Sequence, residues 1–257
     1  MRCPATHWGA APASVALVRD QVHVWRATLD RDTPTAERMF HTLSTDECDR
    51  AASFRFERDR RRFIVRRGVL RAILGRYTAI EPTRLRFRYS AHGKPALTGD
   101  CGAPSVRFNL SHSDGVALFA IGFSRDIGID LERSRADLDF LEIAEQFFSA
   151  GEVSTLRALP KDSRQEAFFA CWTRKEAYIK AKGQGLSIPL DRFEVSLTPR
   201  GPAALLRTED PGDAGRWSLR ELVADGGYSA ALCVEGLGWV LKSWQWPDHE
   251  VAEPAIT

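Results

Sequence analysis

Two carboxylates stand two residues apart in Gly128-Ile129-Asp130-Leu131-Glu132, and a third, Glu176, follows within Trp172-Thr173-Arg174-Lys175-Glu176-Ala177-Tyr178-Ile179-Lys180. The first segment is apolar and β-branched, which reads as a strand. Alternation then puts Asp130 and Glu132 on one face and Ile129 and Leu131 on the other. Like charges on one face repel unless a cation lies between them. Oxygen-only ligands favour a hard ion such as Mg²⁺, which also grips phosphate.

The second segment reads as a helix from about Arg164 to Ala181. Trp172, Lys175, Glu176, Ile179 and Lys180 fall at i, i+3, i+4, i+7 and i+8, so three charges share a stripe with apolar residues. Two uses fit this stripe: an i,i+4 surface pair between Glu176 and Lys180, or a pair of phosphate-binding lysines beside the carboxylates. Lysine usage favours the second. The chain writes nearly all its positive charge as arginine, its lysines being Lys94, Lys161, Lys175, Lys180, Lys182 and Lys242. Three of them lie within one short stretch, where compact ammonium groups would be wanted.

These side chains must be carried by an ordinary globular scaffold: 257 residues, 44% hydrophobic and 27% charged, with a formal net charge of +2. So small a net charge does not point to nucleic acid, and the one dense basic run, Arg58 to Arg67, has helical spacing. The five cysteines are odd in number and include no C-x-x-C pair, which argues against a disulfide framework or a zinc site and for a reducing cytosol. No uncharged apolar run reaches membrane-spanning length, and Met1 to Val18 is broken by Pro4, His7, Gly9 and Pro12, so it reads as a lead-in rather than a signal. The expectation is a cytoplasmic monomer that binds neither nucleic acid nor membrane.

Internal similarity organises the rest. A helical pattern over Arg62 to Tyr77 is followed by strand-like Leu85 to Tyr89, a turn at His92-Gly93-Lys94-Pro95, and strands at Val106 to Leu110 and Val116 to Ile121. The helix ending near Ala181 is followed in the same order by Phe193 to Leu197, a turn at Pro199-Arg200-Gly201-Pro202, and strands at Trp217 to Val223 and Tyr228 to Val234. The predicted fold is therefore α+β: two similar halves, each a helix plus an antiparallel meander, packed as an intrachain pseudodimer. The boundary is expected at 1–124 and 125–250, with the ligand cleft at the seam.

Gly93-Lys94-Pro95, Asn109-Leu110-Ser111-His112-Ser113, Gly128 to Glu132, Phe147-Phe148-Ser149 and Trp172 to Gly183 together resemble the surfactin-type 4′-phosphopantetheinyl transferases, in order and interval, from about Asp46 to Val234. The resemblance implies a pseudodimeric enzyme that moves the phosphopantetheine arm of coenzyme A onto a serine of an acyl or peptidyl carrier protein and releases adenosine 3′,5′-bisphosphate. It implies Asp130, Glu132 and Glu176 as Mg²⁺ ligands, Glu176 also as the base for the carrier serine, and Lys175 and Lys180 near the phosphates. His112 becomes a phosphate contact, Ser111 and Lys94 line the nucleotide side, and Arg50 lies at the 3′-phosphate. Leu131 stands where the family often has an acidic or polar residue, so Glu132 or water must supply that ligand.

A metal-dependent phosphohydrolase could use the same carboxylates but usually needs more of them, or histidines, to hold two metals. A binding module would leave the acidic set without purpose. The stretch Arg133 to Arg164 carries Arg133, Arg135, Arg157, Lys161 and Arg164 around Leu138, Phe140, Leu141, Leu156 and Leu159. It suits either a docking surface for an acidic carrier protein or helices packing an apolar stripe inward.

Overall fold

The computed structural model describes residues 6–12, 14–101, 105–135, 138–198, 201–213, 215–224 and 226–248, leaving aside the side chains of Asp100 and Leu186. Part of the lead-in, the start of the expected turn at Pro199-Arg200, and Ala136 and Asp137 of the basic stretch lie outside the described residues.

The first half runs β1 (Gly9–Ala10), β2 (Gln21–Thr28), α1 (Thr33–Phe40), α2 (Thr45–Ala52), α3 (Glu57–Thr78), β3 (Phe87–Tyr89), β4 (Pro95–Leu97), β5 (Val106–Ser113) and β6 (Val116–Phe123). The second runs β7 (Ile127–Arg133), α4 (Phe140–Phe147), α5 (Ala150–Ala158), α6 (Lys161–Lys182), β8 (Glu194–Val195), β9 (Leu205–Arg207), β10 (Trp217–Leu222), β11 (Tyr228–Glu235) and β12 (Val240–Gln245). Both halves thus repeat one order: strand, two short helices, a 22-residue helix, a short hairpin and two longer strands. The architecture is α+β with two matching units. The expected unit lacked its leading strand and its short helices.

Local chemistry sets the helix starts. Asp32 caps α1 by accepting from Thr35 N at 3.0 Å, and Ser149 accepts from Glu152 N at 3.2 Å while Glu152 accepts from Ser149 N at 3.0 Å, a capping box that opens α5. Helix α6 stops at Gly183, whose φ of 70° a side chain would strain, and whose N–H closes the helix on Ile179 O at 3.1 Å.

One sheet has the order β10-β11-β7, all antiparallel; the other runs β1-β12-β2-β6-β5, with β12 parallel to β2. The last strand therefore returns to the sheet of the first half, so sheet membership does not follow the division at 124/125. Strand β6 is buried on both faces, which explains its unbroken apolar run. Its Phe119 joins Trp25, Val65, Leu70 and Ile73 under α3. Its Leu118 joins Val22, Val24, Ile129, Leu131 and Leu232 in a core shared by both sheets. A third core gathers Phe168, Ile179, Phe193 and Trp217 around α6. Burial of each such side chain contributes about 1.5–3 kcal/mol.

Strands β7 and β5 are sheet edges, and they face each other. Here side chains replace the missing ladder: Asn109 Oδ1 accepts from Ile129 N at 2.9 Å and Ser113 Oγ accepts from Arg133 N at 3.1 Å. Buried edge N–H groups are thereby satisfied across the seam between the halves.

Candidate active site

Helix α6 lies directly on β7 at Gly128, where an added Cβ would stand 2.1 Å from Ala177 O and 2.3 Å from Ala181 N. Strand alternation then turns Asp130 and Glu132 toward the same helix, while Ile129 and Leu131 enter the shared core. Glu176 and Lys180, one turn apart on α6, complete the group.

Asp130 is 2% exposed. Lys180 Nζ lies 2.5 Å from its Oδ1 and 3.2 Å from Ser111 Oγ, which itself donates to Oδ1 at 2.9 Å. Oδ2 is buried with no hydrogen-bond partner among the described residues. Glu132 Oε2 accepts from Ser113 Oγ at 3.1 Å. Burial, then repulsion from Asp130 and Glu132, pushes the Glu176 carboxyl up to about 7 against the pull of Lys180. Burial and Asp130 likewise raise Glu132. Burial works against the Lys180 ammonium, but Asp130, Glu176 and Glu132 together hold its pKa above the usual lysine range.

No three His, Cys, Asp or Glu side chains among the described residues are arranged to hold a metal ion. The donor chemistry nevertheless fits a hard cation. An orphaned buried carboxylate oxygen stands beside two carboxyls whose pKa burial and neighbouring negative charge raise, and all the donors are oxygen.

Beside this group opens a cleft of about 570 Å³, lined by Arg50, Arg66, Arg67, Ser111, His112 and Lys180, with Phe63 and Leu110 as apolar wall. Burial, Arg66 and Lys180 push His112 down to about 4, so it is neutral at pH 7 and its Nε2 meets Arg66 Nη1. Burial also lowers Arg66 to about 10, and its Nε has no hydrogen-bond partner among the described residues. Arg50 stacks on Phe54 at 5.6 Å. Asp46 and Glu47 also line the cleft and Glu47 pairs with Arg67, yet cations outnumber acids there, which suits a polyanionic ligand.

Arg50, Ser111, His112 and Lys180 thus share one cleft, and Asp130, Glu132 and Glu176 adjoin it. Three lysines depart from expectation. Lys175 is fully buried on the opposite side of α6, 2.7 Å from Glu152 Oε2, and donates to Leu190 O and Phe193 O, each at 2.7 Å. It is not among the residues that line the cleft. The Lys94 ammonium is engaged by the carbonyls of Lys180, Ile127 and Ala181 at 2.7, 3.0 and 3.1 Å, tying the end of α6 to β7 instead of facing a nucleotide. Lys182 pairs with Asp213 at 2.5 Å. In the basic stretch, Leu156 is buried in the core around α6, and Leu138, Phe140, Leu141 and Leu159, each half-buried, pack against it.

The sequence assigns no individual role to Arg66, Asn109 or Ser113. The two polar residues share one face of β5 with Ser111, a signal that period-two spacing carries. Arg66 differs from neighbours that take acidic partners, Arg60 with Glu57, Arg62 with Asp30 and Arg67 with Glu47.

Residues 126–233 match the family model of the 4′-phosphopantetheinyl transferase superfamily, and residues 25–122 match that of the 4′-phosphopantetheinyl transferase N-terminal region. The chain is 43% identical over 239 residues to the 4′-phosphopantetheinyl transferase HetI of Nostoc sp., covering 93% of this chain and 98% of that protein. It is 32% identical over 197 residues to the 4′-phosphopantetheinyl transferase Sfp of Bacillus subtilis, covering 77% and 84% of the two chains. The two family matches meet where β6 gives way to β7, the seam that carries the carboxylates, and the chain belongs to the 4′-phosphopantetheinyl transferase superfamily.

Proposed function

We propose that the cleft lined by α2, α3, β5 and Lys180 binds coenzyme A and that the adjoining carboxylates direct transfer of its 4′-phosphopantetheine arm to a serine of an acyl or peptidyl carrier protein. The observation that carries this reading is the buried Asp130 carboxylate, with Lys180 on one oxygen and no hydrogen-bond partner among the described residues on the other, beside a cleft that Lys180 itself lines.

The serine oxygen attacks the phosphorus that bears the pantetheine arm. The bond from that phosphorus to the bridging oxygen breaks, and adenosine 3′,5′-bisphosphate leaves with that oxygen. Lys180 faces the pyrophosphate, His112 and Arg66 take a phosphate at the wall of β5, and Arg50 takes the 3′-phosphate. Neutral His112 donates one N–H there, and Arg66 brings the charge. Glu176, titrating near neutrality, accepts the serine proton directly or through a water. Asp130, Glu132 and Glu176 would hold Mg²⁺, which supplies charge neutralisation on the pyrophosphate and leaving group when bound. Ser111 and Ser113 fix the carboxylates for that role through their hydroxyls.

Both sides of the seam come from one chain, so a monomer completes the site. No helix among the described residues is long and apolar enough to cross a membrane. Cys48, Cys101, Cys171 and Cys233 are free thiols, in keeping with work in the cytosol. Chromatography tests the reaction: adenosine 3′,5′-bisphosphate should appear only when coenzyme A, Mg²⁺ and an apo carrier are all present. Its release without carrier would mean hydrolysis instead.

A further inference from the structure

Each half of the chain holds a fully buried cation in the same frame. In the first, Glu47 accepts from Ser44 N at 3.0 Å in the first turn of α2, and Arg71 Nε donates to Glu47 Oε2 at 2.7 Å. Arg71 also donates to the carbonyls of Pro82 and Leu85, just past α3, at 2.7 and 3.1 Å. In the second, Glu152 accepts from Ser149 N at 3.0 Å in the first turn of α5, and Lys175 Nζ lies 2.7 Å from Glu152 Oε2. Lys175 donates to Leu190 O and Phe193 O, just past α6, both at 2.7 Å. Arg71 stands 5.2 Å above the Phe87 ring and Lys175 4.3 Å above that of Phe193. Both side chains are fully buried, and both occupy the same position along their 22-residue helices, counting from Glu57 and Lys161.

The residues that follow are not repeated. At the positions of Glu176 and Lys180, α3 carries Ala72 and Arg76, and Arg76 stacks on Trp25 and Trp246 at 5.4 and 4.9 Å. The buried cation is thus common to both halves, whereas the reactive pair belongs to one.

We infer that Lys175 is a positioning residue that touches no phosphate. By fastening α5 and the Leu190–Phe193 turn to the back of α6, it fixes the rotation of that helix and so presents Glu176 and Lys180 to β7. This goes beyond the transferase reading and rests on it only for the turnover measurements.

Lys175→Met leaves Glu152 buried without its cation; adding Glu152→Gln removes the stranded charge and keeps an acceptor for Val195 N, now 2.9 Å from Oε1. The variants are compared by melting, by calorimetry with coenzyme A and by turnover at a temperature well below melting. Lys175→Met should melt roughly 10 °C lower and lose about tenfold in kcat, with its Kd for coenzyme A within about threefold of wild type. The double variant should regain most of the melting temperature and kcat.

A tenfold or greater loss of coenzyme A affinity that Glu152→Gln does not restore would place Lys175 on a phosphate and overturn the inference. Unchanged kcat despite lower melting would overturn it too, leaving Lys175 as a stabilising residue only. If Lys175→Met does not fold, the affinity and kcat of the double variant decide alone. A wild type without transfer activity would defeat the transferase reading, while melting and affinity would still judge whether Lys175 meets phosphate.

Discussion

Lys180 Nζ and Asp130 Oδ1 are 2.5 Å apart across the packing of α6 on β7, and the second oxygen of the same carboxylate has no hydrogen-bond partner among the described residues. One ammonium thus answers for three mutually repelling carboxylates, Asp130, Glu132 and Glu176. Removing it should affect ligand and scaffold alike. Lys180→Met keeps the apolar stem, and we expect at least tenfold weaker coenzyme A binding by calorimetry together with slower transfer. Wild-type affinity would remove Lys180 from the phosphate site.

The crowding of carboxylates makes a pH prediction. Glu176 has a folded-state pKa raised from 4.5 to about 7. A carboxyl that holds its proton more tightly when folded costs stability as pH rises through that window, and the loss is complete above it. Without divalent ions, wild type should therefore lose about 1–3 kcal/mol between pH 5 and pH 8 relative to Glu176→Gln. Urea denaturation at the two pH values measures this. An equal change in both proteins would show that Glu176 is not held in the crowded state.

Gly128 is where helix α6 and the carboxylate-bearing strand β7 touch. A methyl group there would meet Ala177 O at 2.1 Å, backbone that cannot move without shifting α6. Gly128→Ala should cost about 3 kcal/mol or more and reduce transfer with it. Near-normal melting would mean that α6 can stand off β7 without harm.

Whether the basic stretch from Arg133 to Arg164 meets an acidic carrier is tested by charge. Arg157 is exposed and paired with Glu145, and Lys161 is exposed at the start of α6. Reversing both charges should raise KM for an acidic carrier severalfold and leave KM for coenzyme A unchanged. Equal effects on both substrates would place the carrier elsewhere.

Much of this was legible in the sequence because period and type agreed. Apolar alternation in Ile127 to Leu131 gave the strand and its carboxylate face, and the spacing of Glu176 and Lys180 gave a helix that runs three residues earlier and one later than expected. What spacing could not separate was which face of α6 meets which neighbour. Lys175 and Glu176 are adjacent, yet one enters the core, where its partner Glu152 comes from another helix, and the other lies beside β7 among the carboxylates that repel it. Strand β2 is not legible because His23 and Arg26 interrupt its apolar pattern, and β12 because it pairs across most of the chain's length. The short helices α1, α2, α4 and α5 carry too few turns for a clear period.

The central claim is that the Asp130 group transfers phosphopantetheine to a carrier serine. It is tested most directly by the intact mass of an apo carrier protein after incubation with coenzyme A, Mg²⁺ and either wild type or Asp130→Asn. The variant keeps the shape of the side chain and an acceptor for Ser111 but removes its charge. Wild type should convert the carrier by the mass of one phosphopantetheine per target serine, with the variant slower by at least about a hundredfold. An unmodified carrier with wild type, or equal conversion by both proteins, would contradict the account.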